Sequence, residues 1–87
     1  MYTFEDTDFE WKQNGRGNFV CLRDDSLEAT VFANRIGMWQ IVLNGQPFAR
    51  LVKDEYFRSP EEAKTRAEYI LSGRASYETV QMIPRPY

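Results

Sequence analysis

Short apolar segments separated by turn residues make up the first part of the chain. Alternation of apolar and polar residues, and brief runs of β-branched and aromatic residues, are typical of strands. In the segment with the clearest alternation, Trp39, Ile41 and Leu43 share one face of a strand. The pattern predicts strands at residues 9–12, 18–23, 28–33, 38–43 and 46–53.

Turn signals mark the ends of these segments at positions 14–17, 24–26 and 34–37. The sharpest signal is the dipeptide Asn44-Gly45. Both central residues of a type I′ turn need a positive φ, which Asn-Gly tolerates best. We therefore expect a two-residue hairpin loop at this dipeptide.

One helix is predicted from about Pro60 to Ser72. Ser59 is a suitable N-cap, and Glu62 follows it by three residues, as in a capping box. Gly73 fits the left-handed residue that ends many helices. The apolar stripe of the helix consists of Ala63, Ala67, Ile70 and Leu71, and the expected solvent side holds Lys64, Thr65 and Glu68.

The pattern as a whole predicts an α+β protein. We expect an antiparallel sheet of four to six strands with the helix packed on one face, in a single domain over residues 1–87. Residues 74–87 are either a strand at a sheet edge, over 77–82, or an extended arm. The predicted core is Trp11, Phe19, Cys21, Val31, Trp39, Ile41, Leu43, Ala63, Ala67, Ile70 and Leu71.

Composition adds limits on location and partners. The net charge is −2, too small to steer the chain toward nucleic acid or an anionic membrane. Residues 1–8 form an acidic segment with Glu5, Asp6 and Asp8. No apolar run is long enough to span a membrane, and the single cysteine, Cys21, rules out an internal disulfide. We expect a cytoplasmic protein with no membrane partner.

The residue types needed for catalysis are sparse. The chain has no histidine, so it lacks the commonest general base, the commonest metal ligand and any serine–histidine or cysteine–histidine pair. It also has no phosphate-binding glycine loop. The sequence predicts a protein that is not an enzyme, with no catalytic, cofactor-binding or metal-binding residues.

A protein partner is therefore the main expectation. The apolar and aromatic share exceeds what one helix can cover, and Tyr and Arg are enriched at interface hot spots. Phe57 could instead staple the helix start. An open sheet edge could also pair two copies into a homodimer. The candidate protein-binding residues are Tyr56, Phe57, Arg58, Tyr77, Arg85 and Tyr87, together with the acidic Glu5, Asp6 and Asp8.

Single-stranded nucleic acid ranks behind protein as a partner. Such binding needs exposed aromatic side chains beside basic ones. Aromatic and basic residues do alternate along the strands, but aromatics in a thin domain usually belong to the core. The aromatic members are Trp11, Phe19, Phe32, Trp39 and Phe48, and the basic members are Lys12, Arg16, Arg23, Arg35 and Arg50.

The layout also resembles small phage and prophage proteins. It combines Trp11, Gly17-Asn18-Phe19 and the segment 37–42 with a helix that opens Ser59-x-Glu61-Glu62-Ala63. In those proteins a β-meander with a late tryptophan leads into one helix. Some small phage proteins inhibit bacterial defence, anti-CRISPR proteins among them, by occupying a binding surface. The resemblance implies that mode of action, but it names no target and maps no functional residue onto this chain.

Overall fold

A computed structural model of the protein describes residues 9–45 and 48–81, and within them it contains six strands and one helix. The strands lie in chain order in one sheet, each antiparallel to its neighbour. The predicted α+β class is confirmed. In chain order the elements are β1 Glu10–Gln13, β2 Phe19–Arg23, β3 Ser26–Ala33, β4 Trp39–Asn44, β5 Ala49–Val52, α1 Pro60–Leu71 and β6 Thr79–Gln81.

Strand β6 covers three residues of the strand considered over 77–82, while residues 82–87 lie outside the described residues. It pairs with β5 at the sheet edge, with Val80 opposite Leu51. The residues from 79 to 81 are therefore a strand, as the first possibility predicted.

The loop between β1 and β2 and the loop between β3 and β4 have the same three-residue hairpin geometry. Each begins with a type I turn, in which the amide of Gly17 or Gly37 donates to the carbonyl of Asn14 or Asn34, at 3.1 and 3.0 Å. Both glycines have a φ of 85°, the left-handed conformation that completes this hairpin type. The two loops lie at the same end of the sheet, because alternate turns of a meander do.

The predicted two-residue turn at Asn44-Gly45 is wrong. Asn44 belongs to β4 and pairs with Ala49, so residues 45–48 connect the strands. The side chain of Asn44 also accepts a hydrogen bond from the Thr30 hydroxyl at 2.9 Å, which holds Asn44 in the sheet. The type I′ geometry occurs instead between β2 and β3, where Asp24 and Asp25 have φ values of 53° and 64°.

Both ends of α1 are capped as the sequence predicts. The hydroxyl of Ser59 accepts from the backbone amide of Glu62 at 3.2 Å. At the other end Gly73 has a φ of 76°, and its amide donates to the Ile70 carbonyl, while the Arg74 amide donates to the Tyr69 carbonyl. This pair of bonds is a Schellman motif, which satisfies carbonyls that a helix end leaves free.

The core lies between α1 and the middle of the sheet, chiefly over β3 and β4. The predicted face of β4 is the one that carries this core, and Cys21 is buried as predicted. Leu71 is only half-buried and lies outside the cluster, so its inclusion in the core was wrong. The buried cluster is Val31, Ile41, Val52, Ala63, Ala67 and Ile70, with Trp11, Phe19, Trp39, Leu43, Phe57 and Ala75 packed against it.

The prediction of a fully solvated side of α1 also needs correction. Lys64 and Glu68 are half-buried, because their side chains reach the aromatic residues of β1 and β2. The Lys64 ammonium lies 4.0 Å from the centroid of the Phe19 ring. The Glu68 carboxylate accepts a hydrogen bond from the Trp11 indole. Long charged side chains here cover the aromatic edge of the core rather than project into water.

Candidate protein-binding groove

An open groove of about 650 Å³ lies beside the β3–β4 loop, on the sheet face opposite α1. Its lining is mainly apolar and includes Ile36, Met38 and Tyr56. Ile36 is 79% exposed, the highest value among the large apolar residues that the structure describes. The full lining is Asn34, Arg35, Ile36, Met38, Gln40 and Tyr56.

The loop wall of the groove is built around the side chain of Asn34. Its Oδ1 accepts from the backbone amides of Ile36 and Met38, both at 3.0 Å. Its Nδ2 donates to Oε1 of Gln40 at 3.0 Å, which ties the loop to the floor of the groove. These bonds fix the backbone that carries Ile36, although that side chain projects into solvent.

The opposite wall is held by Phe57. Its backbone forms a two-bond bridge with Trp39, with N···O distances of 2.8 and 2.9 Å, and its ring packs on the core. The adjacent residue, Tyr56, is 52% exposed and lines the groove. Because Phe57 is anchored, the adjacent Tyr56 is held at a fixed place in the groove.

A bidentate ion pair fixes the segment that leads into Tyr56. Arg66 of α1 donates to both carboxylate oxygens of Glu55 at 2.8 Å, and it also donates to the carbonyl of Ser76 at 3.0 Å. The hydrogen bonds to Glu55 raise the pKa of Arg66 above its ordinary value, so the guanidinium stays charged. This wall is thus tied to both the helix and the residues after it.

The groove carries positive charge. Arg35 is exposed and the lining contains no carboxylate. Within residues 9–45 and 48–81, no ion pair includes Arg35. The pairs found there join Lys12 to Glu10, Arg23 to Glu28, Lys53 to Glu78 and Arg66 to Glu55.

The predicted binding residues do not form one surface. Tyr56 lies in the groove, and Arg58 is exposed with its amide 3.3 Å from the Glu62 carboxylate. Phe57 packs against the core, and its backbone pairs with that of Trp39. Tyr77 is exposed but lines a different depression, beside Lys53. Outside the described residues lie Glu5, Asp6, Asp8, Arg85 and Tyr87.

Sequence reasoning missed Ile36 and Met38 on the other side of the groove, and it considered Arg35 only as a basic residue for nucleic-acid binding. The available signal was Ile36 itself, an isoleucine at the centre of an otherwise polar turn. Turns favour Gly, Asn, Asp, Ser and Pro for conformational reasons, and a large apolar residue serves none of them. Such a residue at a loop tip predicts exposed apolar surface at that place.

The aromatic residues considered for nucleic-acid stacking are divided between environments. Trp11, Phe19 and Trp39 pack against the core beneath α1. Phe32 lies on the other face, opposite Gln40, and Phe48 is 44% exposed. A stacking platform needs several aromatics on one open surface, and this division does not provide it.

The remaining reactive groups have structural surroundings. Cys21 is fully buried, and burial, reinforced by the charges of Glu68 and Glu28, raises its thiol pKa to about 12. Over the described parts of the chain, no three His, Cys, Asp or Glu side chains are grouped to hold a metal ion. In the same parts, no helix combines the length and apolar character needed to cross a bilayer.

Comparison of the chain with protein-family models, with curated proteins and with solved structures finds no match.

Proposed function

We propose that the protein is a non-enzymatic protein-binding module and that the groove beside the β3–β4 loop is its contact surface. The observation that carries this proposal is the exposure of Ile36, at 79%, on a loop whose backbone is fixed by hydrogen bonds. Exposing a large apolar side chain forgoes the free energy gained by burying it. A partner that covers Ile36 recovers that free energy.

Rigidity of the two walls supports the proposal. Binding costs free energy when loops and side chains have to be ordered, and a fixed surface avoids much of that cost. Asn34 fixes one wall, and the bridge between Phe57 and Trp39 fixes the other. Tyr56 and Arg35 add two residue types that are enriched at interface hot spots, while Met38 adapts readily to irregular surfaces.

The resemblance to small phage proteins gives the proposal a more specific form. In that form the protein is an inhibitor that occupies a surface of a bacterial defence protein, in the cytoplasm of the host. What supports this form is the shared layout of a β-meander followed by one capped helix, together with a groove suited to blocking contacts rather than to catalysis.

A comparison of two aspartate variants tests the proposal. Ile36→Asp places a charge in the groove, and Leu27→Asp places the same charge at another exposed apolar site, 37% exposed, at the start of β3. Tagged wild-type protein and both variants are incubated with lysate of the cell that produces the protein, and bound proteins are quantified by mass spectrometry. A partner retained by wild type and Leu27→Asp, but reduced about tenfold by Ile36→Asp, is the expected result. Identical retention by all three would overturn the proposal.

Self-association is a second candidate, because β1 and β6 are the outer strands of the described sheet. The hydrogen-bonding groups along an outer strand can pair with a strand from another chain. Sedimentation velocity over a range of concentrations distinguishes this candidate. A dimer that persists in Ile36→Asp would place the self-contact at a strand edge, whereas a dimer lost in that variant would place it at the groove.

A further inference from the structure

From the charge of the groove we infer the chemistry of its occupant: an acidic segment of a partner protein, with one apolar side chain seated between Ile36 and Tyr56 and a neighbouring carboxylate bound to Arg35. This inference rests on the proposed function and adds the partner's chemistry to it.

The apolar part of the inference follows from the two walls. Ile36 and Tyr56 lie on separate segments and stand 79% and 52% exposed, with Met38 also in the lining. A side chain inserted between them buries apolar surface on both of its sides. A methionine at such a contact accommodates either aliphatic or aromatic side chains.

The acidic part follows from Arg35. It is the single charged residue of the lining, and its guanidinium forms no ion pair with any residue in the described part of the chain. A guanidinium binds a carboxylate through two parallel hydrogen bonds, and this geometry adds specificity to the Coulomb attraction. Arg16, Arg50, Arg58 and Arg74 are also exposed and form no ion pair within the described residues, but Arg35 is the arginine that lines the groove.

The same charge pattern favours protein over nucleic acid as the occupant. A groove that follows a phosphate backbone needs several cations in succession. Here one arginine stands among three apolar side chains, and the chain as a whole carries a net charge of −2. One carboxylate next to one apolar anchor matches this lining better than a chain of phosphates does.

Selection from a random peptide library displayed on phage tests the inference. Wild-type protein is the bait, and binders that also bind Ile36→Asp are removed. We expect a consensus with an aliphatic or aromatic residue next to Asp or Glu. The affinity of a labelled consensus peptide is then measured by fluorescence polarisation.

Arg35→Ala should lower the affinity for that peptide about tenfold, and Arg35→Glu should lower it further. The matched control is Arg16→Ala, which removes an exposed arginine from the β1–β2 loop of the same geometry and should change affinity less than about twofold. Raising the salt concentration from about 0.05 to about 0.5 M should weaken binding in wild type but have little effect on the residual binding of Arg35→Ala.

The outcomes separate this inference from the proposed function. A consensus without Asp or Glu would overturn the inference of an acidic partner, as would a peptide whose affinity is unchanged by Arg35→Ala. Either result would leave the proposal of a protein-binding groove intact. Absence of any binder that depends on Ile36 would overturn both. Displacement of the peptide by oligothymidylate at lower concentration than by the unlabelled peptide would assign the groove to nucleic acid and also overturn the inference.

Discussion

Trp11 and Glu68 are 57 positions apart in the chain, and the indole N–H of Trp11 donates to a carboxylate oxygen of Glu68 at 2.7 Å. This bond joins the edge strand β1 to the helix. Strand β1 has one strand neighbour in the described sheet, so its link to α1 contributes to holding it in place.

Breaking that bond should destabilise the fold. Glu68→Ala is expected to lower the free energy of unfolding by about 1–2 kcal/mol, since a partly buried bond to a charged acceptor is lost. Glu68→Gln keeps an acceptor and should lose less. Chemical denaturation of these variants, of Trp11→Phe and of the double variant gives the coupling energy between the two side chains. A coupling near zero would contradict a stabilising bond.

Arg66 is expected to resist conservative replacement. Lysine cannot reproduce the two parallel bonds to Glu55 and the third to the Ser76 carbonyl, so Arg66→Lys should cost about 1 kcal/mol. Thermal unfolding measures the loss. Arg74→Lys, at an exposed arginine outside the ion pairs of the described chain, is the matched control and should leave the melting temperature nearly unchanged. Equal effects of the two replacements would count against the bidentate pair.

Burial of Cys21 makes stability depend on alkaline pH. Its thiol pKa is raised from 9.0 to about 12, so folding favours the protonated thiol. The contribution of Cys21 to stability should therefore be complete below pH 9.0 and be lost as the pH rises toward about 12. Urea denaturation as a function of pH, compared between wild type and Cys21→Ala, measures this contribution. Between pH 9.0 and about 12, Cys21→Ala should lose less stability than wild type. Parallel curves of stability against pH for the two proteins would contradict this role of Cys21.

The same burial predicts that the Cys21 thiol reacts slowly with thiol reagents. The thiolate is the reactive species, and Cys21 combines full burial with a raised pKa. A thiol reagent should label the native protein at the rate of global unfolding and the denatured protein at once. Rapid labelling under native conditions would indicate that β2 opens locally.

The type I′ turn offers a stabilising substitution. Asp24 and Asp25 have positive φ values, where side chains with a Cβ are strained and glycine is not. Asp25→Gly should raise the free energy of unfolding by about 0.5–1 kcal/mol. Ser26→Gly, one position later and inside β3, should instead lower it, because glycine weakens a strand. A melting temperature that falls in Asp25→Gly would exclude strain as the dominant effect at this turn.

The helix and most strands could be predicted because their signals are local. Ser59 and Gly73 act on backbone groups within one turn of themselves, so both cap the helix as predicted. The Glu62 carboxylate accepts from the amide of Arg58 instead of the Ser59 amide that a capping box uses. The prediction of a two-residue turn at Asn44-Gly45 was wrong because a long-range contact decides the structure there. Thr30, fourteen residues away, engages the Asn44 side chain, and no local propensity contains that contact.

The sequence by itself determined the α+β class, the capped helix, the core face of β4 and the absence of histidine chemistry, because propensity, periodicity and composition are properties of neighbouring residues. Only the tertiary structure placed Tyr56 and Ile36 in one groove, turned Glu68 toward Trp11 and packed Phe57 against the core. Each of those contacts joins residues from different elements, and their proximity depends on how the strands pair and where the helix lies on the sheet.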